Sequence, residues 1–225
     1  MDTSNLYIVI PAKDEAPRIG QVLDHIRELG YGNVVVVDDG SRDETGDIAA
    51  RYGVTVLRHR LNLGAGAATQ TGIEYALRQG AETIVTLDGD HQHLPSDIEH
   101  LVSALAENKA DIVLGSRFFG NNTDIPAHRV IYNKIGNWIT YIFTGMWVSD
   151  SQSGMKAIHA SFAGKAAIQR NGFEFCIEII KNIKLHKAKW CEVPISVVYT
   201  KETLAKGQGF FSGLKMVVRM VKSVL

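Results

Sequence analysis

The stretch Thr83-Ile84-Val85-Thr86-Leu87-Asp88-Gly89-Asp90-His91-Gln92-His93 governs the reading of this chain. Its first five residues are a short, largely β-branched run of the kind that fills a buried strand. The run stops where two carboxylates bracket a glycine. Side chains at i and i+2 leave a strand end on the same side, so Asp88 and Asp90 can share one hard divalent cation, Mg²⁺ or Mn²⁺, through oxygen ligands. Such a cation bridges a diphosphate. An Asp-Gly-Asp triplet also serves as a plain turn, so the surrounding chain has to decide.

Working outward toward the N-terminus, Leu6–Ile10 is a continuous apolar run ended by Pro11, and Asn33–Val37 is another, ended by Asp38-Asp39-Gly40-Ser41. Both read as central parallel strands. Ile19, Val22, Leu23, Ile26 and Leu29 recur between them at helical spacing, with Pro17 near the start and Gly30 past the end, which completes one βαβ unit. A second unit runs through a helix over 43–52, a strand over 54–57 and a helix over 65–78 to the strand over 83–87. Beyond it come a helix carrying Ile98, Leu101, Val102 and Leu105, then a strand over 111–114 ended by Gly115-Ser116-Arg117. This alternation predicts an α/β domain with a mostly parallel, doubly wound sheet flanked by helices, whose ligand lies beyond the carboxyl ends of the strands. The polar clusters Pro11–Glu15, Asp38–Ser41, Asp88–Gln92 and Ser116–Arg117 all fall at such ends. Each alone is ordinary loop chemistry; together on one edge they predict a shared pocket.

Toward the C-terminus the pattern predicts a largely apolar helix over 129–146, a polar segment over 149–156 holding Asp150 and Gln152, helices over 161–169 and 175–185, and a strand over 190–199. The helix over 129–146 is read as core, with contact to an apolar ligand tail or a membrane surface as the alternative. Thr200–Gly209 reads as a Lys/Gly-rich loop in which Lys201 and Lys206 add positive charge over a phosphate. The last segment, 210–225, reads as a helix with Lys215, Arg219 and Lys222 on one stripe opposite Leu214, Val217, Val221 and Val224. A basic amphipathic helix of this kind either lies on an anionic bilayer or packs on its own domain.

Composition narrows the function. With 225 residues, 45% of them hydrophobic, one proper core is expected. Lys plus Arg equals Asp plus Glu at 24 each, so no net field draws in nucleic acid, and none is expected as a partner. Cys176 and Cys191 have neither CxxC spacing nor the density of a disulfide scaffold, which points to a reducing, cytoplasmic setting. No signal peptide or run of 18 apolar residues is seen. His91 and His93 lack a third His or Cys nearby, which argues against zinc. Ser41 and Ser116 have no adjacent histidine, so acyl transfer is unsupported. Gly64-Ala65-Gly66-Ala67-Ala68 follows the third strand rather than the first, and reads as a tight helix start packed on the sheet. For a nucleotide-sugar transferase, by contrast, every part is present. Asp38 or Asp39 can accept hydrogen bonds from base or ribose, Asp88 and Asp90 can hold the cation, and Arg117 and Arg129 can clamp phosphate oxygens.

Five ordered motifs, Ile10–Glu15, Val37–Asp43, Asn62–Ala68, Asp88–His93 and Gly115–Arg117, together resemble the family-2 glycosyltransferases of GT-A (Rossmann-like) fold, and within them the polyprenyl- and dolichyl-phosphate hexosyltransferases. Asp150–Lys156, Phe173–Phe175 with Glu178, and Glu192–Ile195 extend the likeness over nearly the whole chain. The resemblance implies a single GT-A domain over 1–209, with 210–225 as a membrane-surface helix. It implies that Pro11, Ala12, Glu15, Asp38, Asp39, Asp88 and Gly89 contact the nucleotide sugar and that Asp88, Asp90 and Gln92 form the metal site. Arg117, Arg129 and Lys201 are expected to face donor and acceptor phosphates, with Asp90, Asp150 and Arg117 as the catalytic set. The implied reaction is inverting, metal-dependent transfer of mannose or glucose from GDP-mannose or UDP-glucose to a polyprenyl phosphate at the cytoplasmic membrane face, in contact with the membrane or a membrane-protein partner. Two alternatives stay open: a soluble family-2 transferase acting on a saccharide or protein hydroxyl, and a non-catalytic nucleotide-sugar-binding subunit. A hydroxyl acceptor needs a base, for which Asp150 is the candidate. A lipid monophosphate is already mostly a dianion at neutral pH, and Asp150 then orients rather than deprotonates.

Overall fold

Uninterrupted apolar runs can only be buried on both faces, and that requirement builds the centre of the domain. The computed structural model describes residues 3–119, 125 and 127–198. Lys201, the 200–209 loop, the expected helix over 210–225 and the end of the expected strand at Tyr199 lie outside them.

The elements run β1 (Leu6–Ala12), α1 (Ile19–Glu28), β2 (Val34–Asp38), α2 (Thr45–Arg51), β3 (Thr55–Arg58), α3 (Ala65–Arg78), β4 (Thr83–Thr86), α4 (Ile98–Glu107), β5 (Ile112–Ser116), α5 (Ala127–Thr144), β6 (Lys156–His159), α6 (Ala160–Ala163), α7 (Phe175–Leu185) and β7 (Trp190–Pro194). They form one sheet of order β3-β2-β1-β4-β6-β5-β7. Strand alternation sorts the core into two layers. Ile8, Ile10, Val36, Val85 and Val113 face α1 and α4, where Ile19, Val22, Ile26, Ile98 and Leu101 meet them. Val9, Ile84, Ile112, Leu114 and Ile158 face α3 and α7 with Ile73, Ile179 and Ile180. Truncating any fully buried isoleucine among them to Ala is worth about 2–5 kcal/mol. Helix α3 sits close on the sheet because Gly72 has no side chain: a Cβ there would lie 2.3 Å from Val9 Cγ1.

Two expectations are corrected. The chain over 156–159 is a strand, β6, and it runs antiparallel to both β4 and β5. At four residues it is too short to show a period, and it opens on a buried lysine, so nothing marks it in the sequence. The helix expected over 161–169 stops at Ala163, with Gly164 following. The amides beyond are drawn away by side chains: Ile168 N–H donates to Gln70 Oε1 at 2.8 Å, and Gln169 and Arg170 both donate to Glu178 Oε2. The Gly64–Ala68 turn packs on the sheet as expected, with Ala68 buried against Val35 and Val37, and it also lies against segment 170–172, since a Cβ on Gly66 would meet the Arg170 carbonyl oxygen at 1.9 Å. The Asn171 carbonyl accepts the Gly66 N–H at 2.8 Å, so this helix start has its own internal partner.

Candidate active site

Parallel strands β1, β2, β4 and β5 end on one edge, and because β6 runs the other way, its entrance comes to that same edge. The polar segment 149–155 is thereby delivered between the ends of β4 and β5. It is tied down on every side. Asn137 of α5 donates to the Ser149 carbonyl at 2.6 Å and accepts from Ser151 N–H at 2.9 Å. Glu192 of β7 accepts from Ser149 N–H at 2.8 Å, and Thr86 of β4 donates to the Gly154 carbonyl at 2.6 Å. Gly136 leaves the space that Gln152 fills, since a Cβ there would fall 1.6 Å from Gln152 Nε2. Asp150, Ser151, Ser153 and Lys156 are all buried in consequence.

Within this loop Asp150 forms a two-pronged pair with Arg117, Nε to Oδ2 at 2.6 Å and Nη2 to Oδ1 at 2.8 Å, and the Arg117 amide adds a third bond at 3.1 Å. Burial pushes the Asp150 carboxyl up, but the Arg117 charge and its hydrogen bonds outweigh that and hold it below the usual carboxylate range. Such a carboxylate is a poor proton acceptor and a strong anchor for its arginine.

The Asp88 carboxyl rests on Gly154: a Cβ there would come within 2.1 Å of Oδ2. Its side chain keeps 42% of its surface open on the cleft side. Burial by the surrounding protein, and then the Asp90 charge, push Asp88 up to about 6; water in the cleft screens part of that effect. Asp90 is likewise raised, first by burial, against the opposing pull of the Gln92 amide, Arg18 and Arg129. Gln92 folds back onto Asp90, its N–H on Oδ1 at 3.0 Å and its Nε2 on Oδ2 at 2.7 Å. His93 is buried and neutral, its pKa lowered to about 3 by burial and then by Arg117. Its Nε2 lies 3.7 Å from Asp88 Oδ2, and its Nδ1 has no hydrogen-bond partner among the described residues. Two crowded carboxylates beside an amide suit a hard cation or the diphosphate it carries. Among the described residues no group of three or more His, Cys, Asp and Glu is placed to hold a metal ion by itself.

The nucleotide-side residues are placed differently. The loops after β1 and β2 are laced together: Asp14 N–H donates to Ser41 Oγ, Glu15 N–H to Thr45 Oγ1 and Ala16 N–H to Asp43 Oδ2. Pro11 and Ala12 end β1 at this seam, the Gly89 Cα faces Ala12, and Glu15 pairs with Arg18 at 2.6 Å. Asp39 is occupied. Leu63 N–H and His59 Nδ1 reach its Oδ1 at 2.9 and 2.8 Å, and Gly64 N–H reaches Oδ2 at 2.8 Å. Asp38 accepts from Ser41 N–H at 2.9 Å, while its other oxygen lies against Gly46.

The edge therefore brings together Asp88, Asp90, Gln92, Arg117, Arg129 and Asp150, while Asp39 serves the β3–α3 loop. It also brings in three groups that sequence reasoning did not assign to the site: Arg18, whose charge acts on Asp90; His93, weighed only for zinc; and Lys156, whose charge acts on Asp88. A lysine directly before a short apolar run was the one available hint for the last. Along α5 the outward face carries exposed Ile135, Trp138, Tyr141 and Ile142, joined by Trp147, with Trp138 edge-on to Trp147 at 5.9 Å and to Tyr141 at 6.1 Å.

Known proteins share this arrangement of chain. An uncharacterized protein of Methanocaldococcus jannaschii is 37% identical, over 98% of this chain and 93% of its own length. The UDP-N-acetylglucosamine–dolichyl-phosphate N-acetylglucosaminyltransferase of Methanococcus voltae is 31% identical, over 96% of this chain and 94% of its own. Glucosyl-3-phosphoglycerate synthase from Mycobacterium tuberculosis, solved in complex with Mn²⁺, UDP and glucosyl-3-phosphoglycerate, superposes with a TM-score of 0.68 at 17% identity, covering 98% of this chain and 78% of that one. At that identity the likeness speaks for the fold. The glycosyl transferase family 2 model matches residues 7–168. A sheet whose carboxyl edge gathers paired carboxylates beside an arginine, and a family match across most of the chain, lead to one conclusion: the chain belongs to glycosyl transferase family 2 and is a glycosyltransferase of GT-A fold.

Proposed function

We propose that this glycosyltransferase moves a sugar from a nucleotide-diphosphate donor to a polyprenyl phosphate, with inversion at the anomeric carbon. The observation that carries the reading is α5. Its first turn brings Arg129 near enough for its charge to act on Asp90, its inner face grips the Asp150 loop through Asn137, and its outer face is aromatic and exposed. One helix thus runs from a phosphate-handling site to an apolar surface, as a lipid with a charged head requires. Trp and Tyr on that surface are the side chains expected where protein meets a bilayer interface. No helix among the described residues is long and apolar enough to cross a membrane, and the proposed contact is peripheral. The Methanococcus relative, named for a dolichyl-phosphate acceptor, supports the same acceptor class here.

Asp88, Asp90 and Gln92 are the residues that would hold Mg²⁺ or Mn²⁺. When bound, that ion acts as a Lewis acid on the departing diphosphate. The remaining work belongs to the chain. The laced Pro11–Glu15 and Asp38–Ser41 loops form the wall for the nucleotide. Arg117, fixed by Asp150, and Arg129 supply positive charge for donor and acceptor phosphates. A polyprenyl phosphate oxygen attacks the anomeric carbon, the bond from that carbon to the diphosphate breaks, and the nucleoside diphosphate leaves with the electron pair. No proton has to be removed from a phosphate whose second pKa is about 6. Asp150 accordingly works as the orienting partner of Arg117.

The test is a panel of radiolabelled GDP-mannose, UDP-glucose and UDP-N-acetylglucosamine, each with polyprenyl phosphate and Mn²⁺. UDP-N-acetylglucosamine joins the first two because the Methanococcus relative is named for it. Label from one donor is expected to enter the organic phase. Label transferred only to water-soluble saccharide would replace the lipid acceptor by a hydroxyl acceptor.

A further inference from the structure

Lys156 opens β6 opposite Thr86, and only 2% of its surface is exposed. An ammonium carries three donors. Its one hydrogen bond goes to the Ser153 carbonyl, and its Nζ stands 5.9 Å from the centre of the Phe175 ring. Among the described residues no carboxylate lies at ion-pair distance from it. A buried charge left without a counter-charge is costly, and chains keep such groups where a ligand supplies the missing charge.

Its place identifies that ligand. The Ser153 carbonyl that holds Nζ and the Gly154 Cα that carries the Asp88 carboxyl belong to the same peptide unit. Lys156 is therefore placed on the far side of this peptide from the Asp88 carboxyl, close enough for its charge to act on Asp88. Arg117 stands nearby too, but it is already paired with both oxygens of Asp150. Lys156 has no such partner.

Resting on the reading of Asp88 and Asp90 as cation ligands, we propose that Lys156 is a positioning residue that makes divalent-cation uptake depend on the nucleotide diphosphate. Its charge opposes a bare dication at the two carboxylates and favours a dication that arrives with the two or more negative charges of a diphosphate. The site thereby discriminates against free cation and retains the cation–diphosphate pair. The role is electrostatic, so removing the charge moves two affinities in opposite directions. A lysine that merely filled space would move both the same way.

The experiment is calorimetry on the full chain with two titrants: Mn²⁺ alone, then UDP or GDP at saturating Mn²⁺. Lys156→Met is expected to bind Mn²⁺ alone about tenfold tighter and the nucleotide about tenfold weaker than wild type, while Lys156→Arg stays near wild type. Parallel weakening of both, or no change in either, overturns the inference. Lys156→Gln, which keeps a donor for Ser153 without the charge, repeats the comparison if circular dichroism shows the Met variant unfolded. Wild type that takes up no Mn²⁺ with either nucleotide removes the cation-site reading itself and the inference with it. Mn²⁺-dependent nucleotide binding in wild type with parallel changes in the variants overturns the inference alone.

Discussion

Asp38 and Asp39, at the end of β2, and Asp88 and Asp90, just past β4 two strands away, are acidic pairs on one edge of one sheet. Around Asp39 the backbone has closed: two amides and an imidazole meet its oxygens, and the loop from His59 to Gly64 hangs from them. Around Asp88 nothing has closed. Its carboxyl lies against a bare glycine, and His93 Nε2 stands 3.7 Å off, beyond hydrogen-bond reach. A carboxylate surrounded by its own backbone donors holds its loop in place, and the one left crowded and short of donors is where we propose that a cation binds.

The sharpest way to break that contrast is to delete one member of each pair. Asp90→Ala is expected to cut sugar transfer roughly a thousandfold or more, the scale of losing a metal's charge stabilisation. Its unfolding midpoint in urea should stay put or rise, because like-charge crowding with Asp88 is relieved. Asp39→Ala should do the reverse. Stranding the Leu63 and Gly64 amides costs about 3 kcal/mol or more of unfolding free energy. Loss of stability in the first variant with none in the second would invert the assignment.

A smaller perturbation addresses how the open pair is held open. Gly154→Ala puts a methyl 2.1 Å from Asp88 Oδ2, whereas Gly164→Ala, at an exposed position, meets nothing nearer than Ala160 O at 3.5 Å. Mn²⁺-dependent nucleotide binding should weaken about tenfold in the first variant, in line with the penalty for overpacking, and stay unchanged in the second. Equal behaviour of the two would mean that Asp88 adapts and that Gly154 is incidental.

That contact also marks the limit of what the sequence could tell. The βα units through β5 were legible because each strand is a run of Val and Ile and each helix repeats at 3.6, as Ile19, Val22 and Ile26 do on α1. The Asp88–Asp90 pair was legible because a strand period puts i and i+2 together. The duty of Asp39 was not, since what distinguishes it from Asp38 is a set of amides twenty-four residues and more along the chain. Nor was β6 legible: four residues between two parallel strands carry no period, and its direction is fixed only by pairing with both neighbours. Since β6 brings Asp150, Gly154 and Lys156 to the edge, the part of the site behind Asp88 depended on the least readable strand.

Asp150 offers a test of intermediate size in which pH gives the sign. Its carboxyl is held below the usual range by Arg117 against the opposing effect of burial. The pair's contribution to stability is therefore fully present above the unfolded value of about 3.9 and disappears as pH falls through the lower folded value. Asp150→Asn should be less stable than wild type by about 3–5 kcal/mol at pH 7, with the gap narrowing below about pH 4 in denaturant titrations. With a polyprenyl phosphate acceptor the variant should keep transfer within about tenfold of wild type, since Arg117 loses aim but no base is lost. Near-complete loss with that acceptor would make Asp150 a base and return the hydroxyl acceptor to first place.

The smallest expected effect on the protein itself lies on α5, where exposure takes the place that missing donors hold at Asp88. Trp138 shows 57% of its surface to solvent and touches Trp147 and Tyr141 only edge-on. A core residue of that size would cost about 3–5 kcal/mol on truncation, whereas Trp138→Ala should change the unfolding free energy by less than about 0.5 kcal/mol. Donor binding, measured without lipid, should not move, because the exposed indole makes none of the hydrogen bonds that hold the Asp150 loop. Sedimentation with anionic vesicles should fall several-fold, since an interfacial indole contributes to membrane affinity in proportion to the area it buries there. If vesicle binding holds while stability drops, the aromatic face is part of the fold after all, and the lipid has to approach the Asp88 edge from another side.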